Sequence, residues 1–297
     1  MSEFYKWVIV TLTAVLTTGF NCGQSSAQNS QDESKSDAEQ ALIEKWKVIY
    51  DDCIDSIMLT YGPKNSDSTQ SAEHSELKRQ TLLSFKSERR HGKVYLWTDR
   101  GRPIVIGAIF SAPVATMPAR SLGVRFNSLI AGSVTGSRSD NVFWKCDDSG
   151  AKWIDGLTDL VPSDSRATRL IQMKYIVRQF ECNYENKTQP NLLPHPLFRY
   201  PENTPGATDG AIFSFCKGTD PKIYLHVEAR EDRWFMACYR DDVMDTTIRK
   251  GDNVVWSFDI VAKPDRFQTE PFYFQFKSEL RSSSDPSKIL YSIWGTR

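Results

Sequence analysis

Apolar residues repeat at helical intervals in two segments of the chain. In residues 38–62 the apolar stripe consists of Leu42, Trp46, Ile49, Cys53 and Ile57, widened by Ile54 and Met58. In residues 167–184 it consists of Leu170, Met173, Ile176, Val177 and Phe180. Spacings of three and four place each set on one side of a helix, so both segments are predicted to be amphipathic helices. Gly62 and Pro63 end the first, and Asp164 or Ser165 caps the second.

Most other apolar segments alternate with polar residues, which is the period of a β-strand. Asp99-Arg100-Gly101 separates the first two strands and predicts a hairpin with glycine in its tight turn. Three consecutive strands near the C-terminal third predict a β-meander. The predicted strands are 93–98, 103–110, 121–130, 141–146, 210–217, 222–230, 233–240, 253–262, 271–280 and 288–294.

The order of these elements predicts the fold class. Strands and helices do not alternate regularly, which argues against a parallel, doubly wound sheet. We expect an α+β fold, mostly antiparallel β-sheet, with one amphipathic helix opening each half of the mature chain. Residues 39–160 form a helix plus an antiparallel sheet, and residues 161–297 a helix plus the meander. These two parts are either separate domains or one continuous domain.

The N-terminus carries the features of a targeting signal. Residues 7–17 are apolar, and Ser25 and Ala27 supply the small side chains of a cleavage site. Residues 1–27 are therefore predicted to be a signal peptide, with a lipid on Cys22 as the alternative. Residues 28–38 are polar without periodicity and predict a flexible tether. No later segment is apolar enough to span a bilayer.

Composition and charge narrow the class of protein. The chain has 297 residues, of which 40% are hydrophobic, as is usual for a globular protein. Lys plus Arg and Asp plus Glu number 37 each, so the net charge is zero and no global field favours nucleic acid. With the signal peptide, this predicts a secreted protein or one of the periplasm or cell envelope.

Five cysteines remain after cleavage of the predicted signal peptide. They show neither the paired spacing of a zinc site nor the density of a disulfide scaffold, and their odd number leaves at least one thiol free. Small buried apolar residues are the favoured interpretation, and one or two disulfides the alternative. The five cysteines are Cys53, Cys146, Cys182, Cys216 and Cys238.

An ordered set of motifs links the chain to a known group of proteins. The motifs are "GKVYLWTDRGRP", "RLIQM", "LLPHPLFRY", "DGAIFSF" and "GTDPKIYLHVEA". Together they resemble a family of uncharacterised secreted proteins of planctomycete bacteria, from about residue 80 to residue 257. The resemblance implies secretion and a shared fold, and no catalytic residues are established for the family. Its pattern has an acidic residue at Lys222 and glutamine at His195, so neither is expected to be obligatory for catalysis.

Motifs of the common enzyme classes are absent from the sequence. There is no GxSxG, GxGxxG, phosphate-binding loop or HExxH pattern. The four histidines are isolated along the chain, so we expect neither a metal nor a cofactor.

The strand 222–230 contains the strongest catalytic candidates. His226 and Glu228 lie on one face, about 7 Å apart by strand geometry, and a glutamate can orient a histidine as a general base. Asp209 is the carboxylate that would complete such a site. The alternative, which we favour, is a half-solvated sheet whose polar face meets water.

A basic segment is the candidate for ligand binding. Between Glu76 and Arg102 there are eight Lys or Arg against three acidic residues. Aromatic residues accompany them, which fits an anionic polysaccharide or another envelope component. The favoured alternative is a charged edge that blocks pairing with other sheets. The candidate binding residues are Arg89, Arg90, Lys93, Trp97, Arg100 and Arg102.

Two functions fit these observations. The first is a secreted or envelope-associated protein that binds a ligand without catalysis. The second is an extracytoplasmic hydrolase whose carboxylates and histidine come from separated strands. A deep pocket joining His226, Glu228 and Asp209 would favour the hydrolase, and a flat, solvated sheet would favour the binding protein.

Overall fold

A computed structural model describes residues 25–62, 75–87, 89–147, 151–185, 188–259 and 272–293. Within these ranges there are two helices, α1 at Ser25–Asp55 and α2 at Arg166–Val177. Ser165 caps α2 as predicted, because its side chain accepts a hydrogen bond from the Thr168 N–H. Neither of these helices has the length and apolarity needed to cross a membrane.

The start and the end of α1 differ from the sequence prediction. Residues 28–38, predicted to be a flexible tether, are helical. They contain neither glycine nor proline, the residues that interrupt a helix most strongly. The helix ends at Asp55, and Met58 begins a strand with an exposed side chain instead of widening the helical stripe. Residues 1–24 of the predicted signal peptide lie outside the described residues.

Eighteen strands follow in the described part of the chain. The first nine are β1 Met58–Gly62, β2 Ser75–Glu76, β3 Lys78–Lys86, β4 His91–Asp99, β5 Arg102–Pro113, β6 Ala119–Ser128, β7 Ser133–Arg138, β8 Asn141–Cys146 and β9 Glu181–Tyr184. The others are β10 Asn191–Leu192, β11 Phe198–Arg199, β12 Asp209–Lys217, β13 Asp220–Arg230, β14 Arg233–Arg240, β15 Thr246–Lys250, β16 Asn253–Phe258, β17 Tyr273–Ser282 and β18 Ile289–Ser292.

The described strands form four sheets in which all pairs are antiparallel. A six-stranded sheet has the order β18-β17-β6-β5-β4-β3, and a five-stranded sheet contains the meander β12-β13-β14 with β10 and β11 both on β12. A four-stranded sheet has the order β2-β1-β7-β8, and a three-stranded sheet the order β16-β15-β9. The α+β fold with mostly antiparallel sheet is thus confirmed. The finer expectation that a helix opens each of two halves stays a prediction.

Three apolar cores lie between these layers. The first joins α1 and the four-stranded sheet to one face of the six-stranded sheet, with Trp46 and Phe126 among its members. The second lies between the six-stranded and five-stranded sheets. The third joins α2 and the three-stranded sheet to the far face of the five-stranded sheet. Residues 42–297 form one compact unit. Both faces of the meander are therefore covered.

The predicted hairpin between β4 and β5 has the expected turn. Arg100 and Gly101 have φ angles of 45° and 86°, the left-handed conformation that two-residue hairpin turns require. Gly101 also lies against Pro201 and Thr204, so a side chain there would meet the segment that precedes β12. This turn sets the start of β5, where Arg102 stands.

Candidate functional site

The polar face of β13 is buried, contrary to the sequence prediction. Ile223, Leu225 and Val227 pack on the α2 side, as the alternation indicates. His226 and Glu228, predicted to face water, are fully buried against the six-stranded sheet. Alternation identifies the residues that share a face of a strand. It does not distinguish a polar face that meets water from one that packs against polar side chains of another sheet. The covering sheet comes from residues about a hundred positions earlier in the chain.

Glu228 is the centre of a buried polar group that we name the Glu228 cluster. Arg102 Nη2 lies 3.0 and 2.9 Å from the two carboxylate oxygens, and Arg230 Nε donates to Oε2 at 2.6 Å. The Tyr200 hydroxyl donates to Oε1. The same hydroxyl lies 2.5 Å from His226 Nε2. Both carboxylate oxygens are thus occupied. The cluster consists of Glu228, His226, Tyr200, Arg102 and Arg230.

Tyr200 reaches this position because the facing residue is glycine. Gly210 lies opposite Glu228 in the pairing of β12 with β13. A Cβ atom on Gly210 would lie 2.7 Å from the Tyr200 ring, closer than packed carbon atoms approach. The absent side chain leaves the space through which the ring extends to Glu228. Neither Tyr200 nor Gly210 was among the predicted site residues.

The hydrogen bonds fix the protonation of the Glu228 cluster. A carboxylate only accepts, so the single Tyr200 hydroxyl hydrogen goes to Glu228, and the hydroxyl oxygen accepts from His226 Nε2–H. His226 Nδ1 then carries a lone pair, and it has no hydrogen-bond partner among the described residues. Burial, aided by the two nearby guanidiniums, lowers the pKa of His226 to about 4. His226 is therefore neutral near pH 7.

Glu228 remains charged despite its burial. Desolvation alone raises the pKa of a buried carboxyl group. Attraction to the His226 ring and to Arg102 and Arg230, with the Tyr200 hydrogen bond, outweighs that cost and holds the pKa of Glu228 below its usual value. Because His226 is neutral near pH 7, the two guanidiniums provide the positive charge there. Chemically, the cluster is a chain of hydrogen bonds from an imidazole through a phenol to a carboxylate.

Asp209 does not join His226 and Glu228. It pairs with Ala229 in the β12–β13 register, which places it on the α2 face of the sheet. There Arg169 Nε lies 3.0 Å and Arg199 Nη2 lies 2.6 Å from Asp209 Oδ2. Burial works against ionisation, but these two guanidiniums lower the pKa of Asp209. Asp209, Arg169 and Arg199 form a separate Asp209 cluster that ties α2 and β11 to β12.

A third polar group, the Asp241 cluster, also lies between the two sheets. It consists of Asp220, Asp241, Asp242, Arg90, Arg125 and Lys222, all but Arg90 at least nine-tenths buried. Arg90 Nη2 lies 2.8 Å from Asp220 and 3.3 Å from Asp242, and Lys222 Nζ lies 2.9 Å from Asp220. Arg125 pairs with Asp241, which also accepts the Tyr224 hydroxyl hydrogen at 2.5 Å.

Asp241 and Asp242 of the Asp241 cluster do not titrate alike. Burial, reinforced by the charge of Asp220 and opposed by Arg125, raises the pKa of Asp241 to about 7. Asp242 is equally buried, but Arg90 and Lys222 both act on it and its pKa is lowered. Buried groups of like charge share a limited number of counter-charges, so one of them holds a proton most easily.

The predicted basic binding set is largely paired inside the protein. Arg90 binds Asp220, Lys93 binds Asp51 at 2.6 Å, and Arg102 binds Glu228. Of the remaining members, Arg89 and Arg100 are exposed, and Trp97 is buried in the core under α1. These side chains do not form one surface. The five cysteines are likewise buried.

Five motifs of the sequence supply most of these polar groups. "GKVYLWTDRGRP" contributes Arg102, "LLPHPLFRY" contributes Arg199 and Tyr200, and "GTDPKIYLHVEA" contributes members of two clusters. One feature of the sequence marks Tyr200 as unusual: it is an aromatic residue in a proline-rich connection where apolar residues do not recur at helix or strand spacing. That signal did not identify its partner. No group of three or more His, Cys, Asp or Glu within the described ranges is arranged to hold a metal ion.

Two open clefts lie away from the clusters. The α1–β17 cleft has a volume of about 550 Å³ and is lined by Lys45, Val48, Ile49, Asp52, Cys53, Arg138, Glu279, Arg281, Asp285 and Ser287. The Trp97 cleft has a volume of about 670 Å³ and is lined by Asp55, Ile57, Met58, Leu59, Leu77, Lys78, Arg79 and Trp97. Both volumes lie in the range of small-molecule sites.

Comparison with known proteins adds no relative. No family model, no curated protein and no solved structure matches the chain.

Proposed function

We propose that the chain is a secreted or envelope-associated protein that binds an anionic saccharide polymer in the Trp97 cleft without catalysis. The observation that carries this proposal is a contrast in access. His226 and Glu228, the candidate catalytic pair, have no exposed surface. The Trp97 cleft is open and presents two cationic side chains beside an apolar wall. Trp97 is the member of the predicted binding set that lines it.

The charge of the two clefts favours the Trp97 cleft for an anionic ligand. Lys78 and Arg79 outnumber Asp55 among its lining residues. In the α1–β17 cleft three cationic and three acidic side chains balance one another. A balanced wall does not distinguish an anion from a neutral sugar, whereas an excess of positive charge does.

Arg79 is held in a position suited to such a ligand. Its guanidinium pairs with Asp55 and lies 5.8 Å from the centroid of the Tyr95 ring. Arg79 and Asp55 keep side-chain exposures of 33% and 60%, so a sulfate or carboxylate can approach the guanidinium from solvent. Met58, half exposed, offers apolar contact to a sugar ring. Binding through two exposed cations is expected to weaken as salt is added.

Calorimetric titration of the full-length chain with dextran sulfate tests this proposal. Uncharged dextran of the same length is the matched ligand. We expect binding of dextran sulfate alone, and a loss of at least tenfold in affinity when Lys78→Gln and Arg79→Gln are combined. Lys145→Gln, which removes an exposed lysine elsewhere, is the control and should leave binding unchanged. Equal binding of both polymers, or no effect of the double substitution, would refute the assignment.

The hydrolase remains the second candidate because of one feature of the Glu228 cluster. The chain from His226 through Tyr200 to Glu228 can transfer a proton, and His226 Nδ1 has no hydrogen-bond partner within the described ranges. Such chemistry requires the two sheets to separate enough to admit a substrate. Release of reducing sugar from an anionic polysaccharide, abolished by His226→Gln in a protein that stays folded, would establish the hydrolase instead.

Export is tested by the N-terminus of the secreted protein. Cleavage after Ala27 leaves Gln28 as the first residue, because Ser25 and Ala27 fit the small-residue positions of a cleavage site. N-terminal sequencing of protein recovered outside the cytoplasm should read Gln28. A lipid on Cys22 would place the protein on a membrane surface.

A further inference from the structure

One wall of the α1–β17 cleft is formed by a single face of α1. Spacings of three and four residues bring its side chains to one side of the helix. The two charged residues stand at the ends of this row and the apolar residues lie between or beside them. Val48 is 60% exposed and Cys53 only 6%, so the apolar surface runs from the rim of the cleft to its floor. The row consists of Lys45, Val48, Ile49, Asp52 and Cys53.

The floor of the cleft is apolar and electrically balanced. Burial raises the pKa of the Cys53 thiol to about 12, so the thiol is neutral near pH 7 and behaves as a small apolar group. Two cations and two acids act on this thiol. They are Arg138, Glu279, Arg281 and Asp52. The floor therefore carries no excess of one charge that would exclude a ligand group of either sign.

The charges of the two walls differ in what they contact. On the β17 wall, Arg281 Nε and Nη2 lie 2.7 and 2.6 Å from Glu279 Oε2, so these two neutralise each other. Asp285 Oδ1 accepts hydrogen bonds of 3.2 and 2.7 Å from its own turn. On the α1 wall, neither Lys45 nor Asp52 forms an ion pair with a described residue. They offer a ligand one charge of each sign.

The spacing of Lys45 and Asp52 sets the length of a ligand that meets both. Seven helical positions, or two turns, separate them, which corresponds to about 10 Å along the helix axis. An extended peptide advances about 3.3–3.6 Å per residue, so three residues span the same distance. The two ends of a peptide carry opposite charges. The volume of about 550 Å³ lies in the range of sites for ligands of this size.

We propose that the α1–β17 cleft binds an apolar peptide of about three residues with free termini. The terminal ammonium lies at Asp52 and the terminal carboxylate at Lys45, and the side chains contact Val48 and Ile49. A single amino acid is too short to reach both charged residues. A sulfated polymer carries charge of one sign, so it would meet Asp52 unfavourably. The ligand class therefore differs from that of the Trp97 cleft.

Calorimetric titration of the full-length chain with trialanine tests the proposal. The matched ligands are N-acetyl-trialanine, which lacks the ammonium group, and trialanine amide, which lacks the carboxylate. We expect trialanine to bind, and blocking either terminus to weaken binding at least tenfold. Triglycine should bind more weakly than trialanine, because it lacks the methyl groups that contact the apolar row.

Two single substitutions test where each terminus lies. Asp52→Asn should remove the preference for trialanine over the acetylated peptide and retain the preference over the amide. Lys45→Gln should do the reverse. Both residues are exposed on the helix surface, so these variants are expected to stay folded. Lys47→Gln, which removes a lysine of the same helix outside the cleft, is the control and should leave both preferences unchanged.

The possible results either support or overturn the proposal. Loss of one preference in each variant, as stated, supports the cleft and the direction of the peptide. No binding of trialanine at millimolar concentration, or equal binding of the three peptides, overturns the proposal. Binding that neither substitution alters overturns the cleft, and exchanged effects overturn the direction. The Trp97 cleft shares no lining residue with this cleft, so failure of dextran sulfate binding is a separate result.

Discussion

The Glu228 cluster and the Asp241 cluster lie between the same two sheets but hold their charges differently. In the first, one carboxylate is shared by two guanidiniums whose side chains reach the rim, with exposures of 18% for Arg102 and 29% for Arg230. In the second, three carboxylates share three cations, and Arg125 and Asp241 are almost fully buried. The Glu228 cluster thus has two cations for its one carboxylate, whereas the Asp241 cluster has one cation for each carboxylate.

This difference shows what decides the protonation of a buried acid. Glu228 is fully buried and still ionised, because cations outnumber carboxylates around it. For Asp241, which is equally buried, desolvation together with the charge of Asp220 outweighs the attraction of Arg125 and raises the pKa to about 7. Burial alone does not predict the charge of a carboxyl group, whereas the local count of partners does.

The largest expected effect is the removal of the Glu228 carboxylate. Glu228→Ala leaves Arg102, Arg230 and Tyr200 without their shared acceptor inside the protein. Breaking a buried ion pair from one side costs about 3–5 kcal/mol of unfolding free energy. Urea denaturation of the variant measures this loss. Asp232→Ala, which removes an exposed carboxylate from the adjacent turn, is the control and should change stability by less than about 0.5 kcal/mol. A small effect for Glu228→Ala would show that the face is solvated after all.

The two clusters are expected to give opposite pH dependence between pH 4 and 6.5. The pKa of His226 is lowered in the folded state, so the unfolded chain takes up the proton and stability is lost as pH falls through this range. The pKa of Asp241 is raised, so the folded state holds the extra proton and stability is lost as pH rises. These contributions oppose each other in the unsubstituted protein.

Single substitutions separate the two contributions. Asp241→Asn leaves the His226 contribution, so unfolding free energy should rise with pH. His226→Gln leaves the Asp241 contribution, so unfolding free energy should fall with pH. Each slope approaches the one-proton limit of about 1.4 kcal/mol per pH unit. Urea unfolding at several pH values measures both slopes. Slopes of the same sign in the two variants would contradict the opposite pH dependence of the two clusters.

A smaller effect is expected where glycine makes room for Tyr200. Gly210→Ala places a methyl group 2.7 Å from the ring and should cost about 1–3 kcal/mol by overpacking. In a Tyr200→Ala background the same substitution should cost much less, because the ring is gone. Thermal or urea unfolding of the unsubstituted protein, the two single variants and the double variant gives the coupling free energy between residues 210 and 200. Additive effects would show that Gly210 and Tyr200 do not depend on each other.

The smallest effect is expected at the rim of the Glu228 cluster. Arg233 is 64% exposed, and its ion pairs with Asp155 and Asp232 are 3.9 and 4.0 Å long. Arg233→Ala should therefore change the unfolding free energy by less than about 0.5 kcal/mol. Urea denaturation measures this change in unfolding free energy. A loss comparable to that of Glu228→Ala would mean that the rim carries as much of the stability as the buried centre.

Sequence periodicity identified the elements whose apolar stripes are regular. Trp46 and Ile54 in α1, and Leu225 and Val227 in β13, are buried as their spacing indicates. The strands β3 and β7 were not predicted, because they carry polar, charged or small residues along most of their length. Such strands are held by backbone pairing with neighbours, which leaves little trace in the order of side chains.

The candidate site shows a different limit. The pairing of His226 with Glu228 follows from one strand, and both residues were identified. The burial of Glu228 depends on Arg102 and Tyr200, which stand 126 and 28 positions away. A single sequence does not report such distant contacts, so alternation predicts a solvated face where a buried polar layer lies. Asp209, close in sequence, lies on the other side of the sheet.

The separation of Arg102 and Glu228 along the chain has a consequence for folding kinetics. Hairpins such as β4–β5 and β13–β14 close over short loops, whereas the link between Arg102 and Glu228 forms only after the two sheets have docked. Loop closure across more than a hundred residues is entropically costly, so the Glu228 cluster is expected to assemble after the rate-limiting step. Substitution of Glu228 should then accelerate unfolding while leaving the refolding rate nearly unchanged. The buried ion pair would act mainly as a barrier against opening of the folded protein.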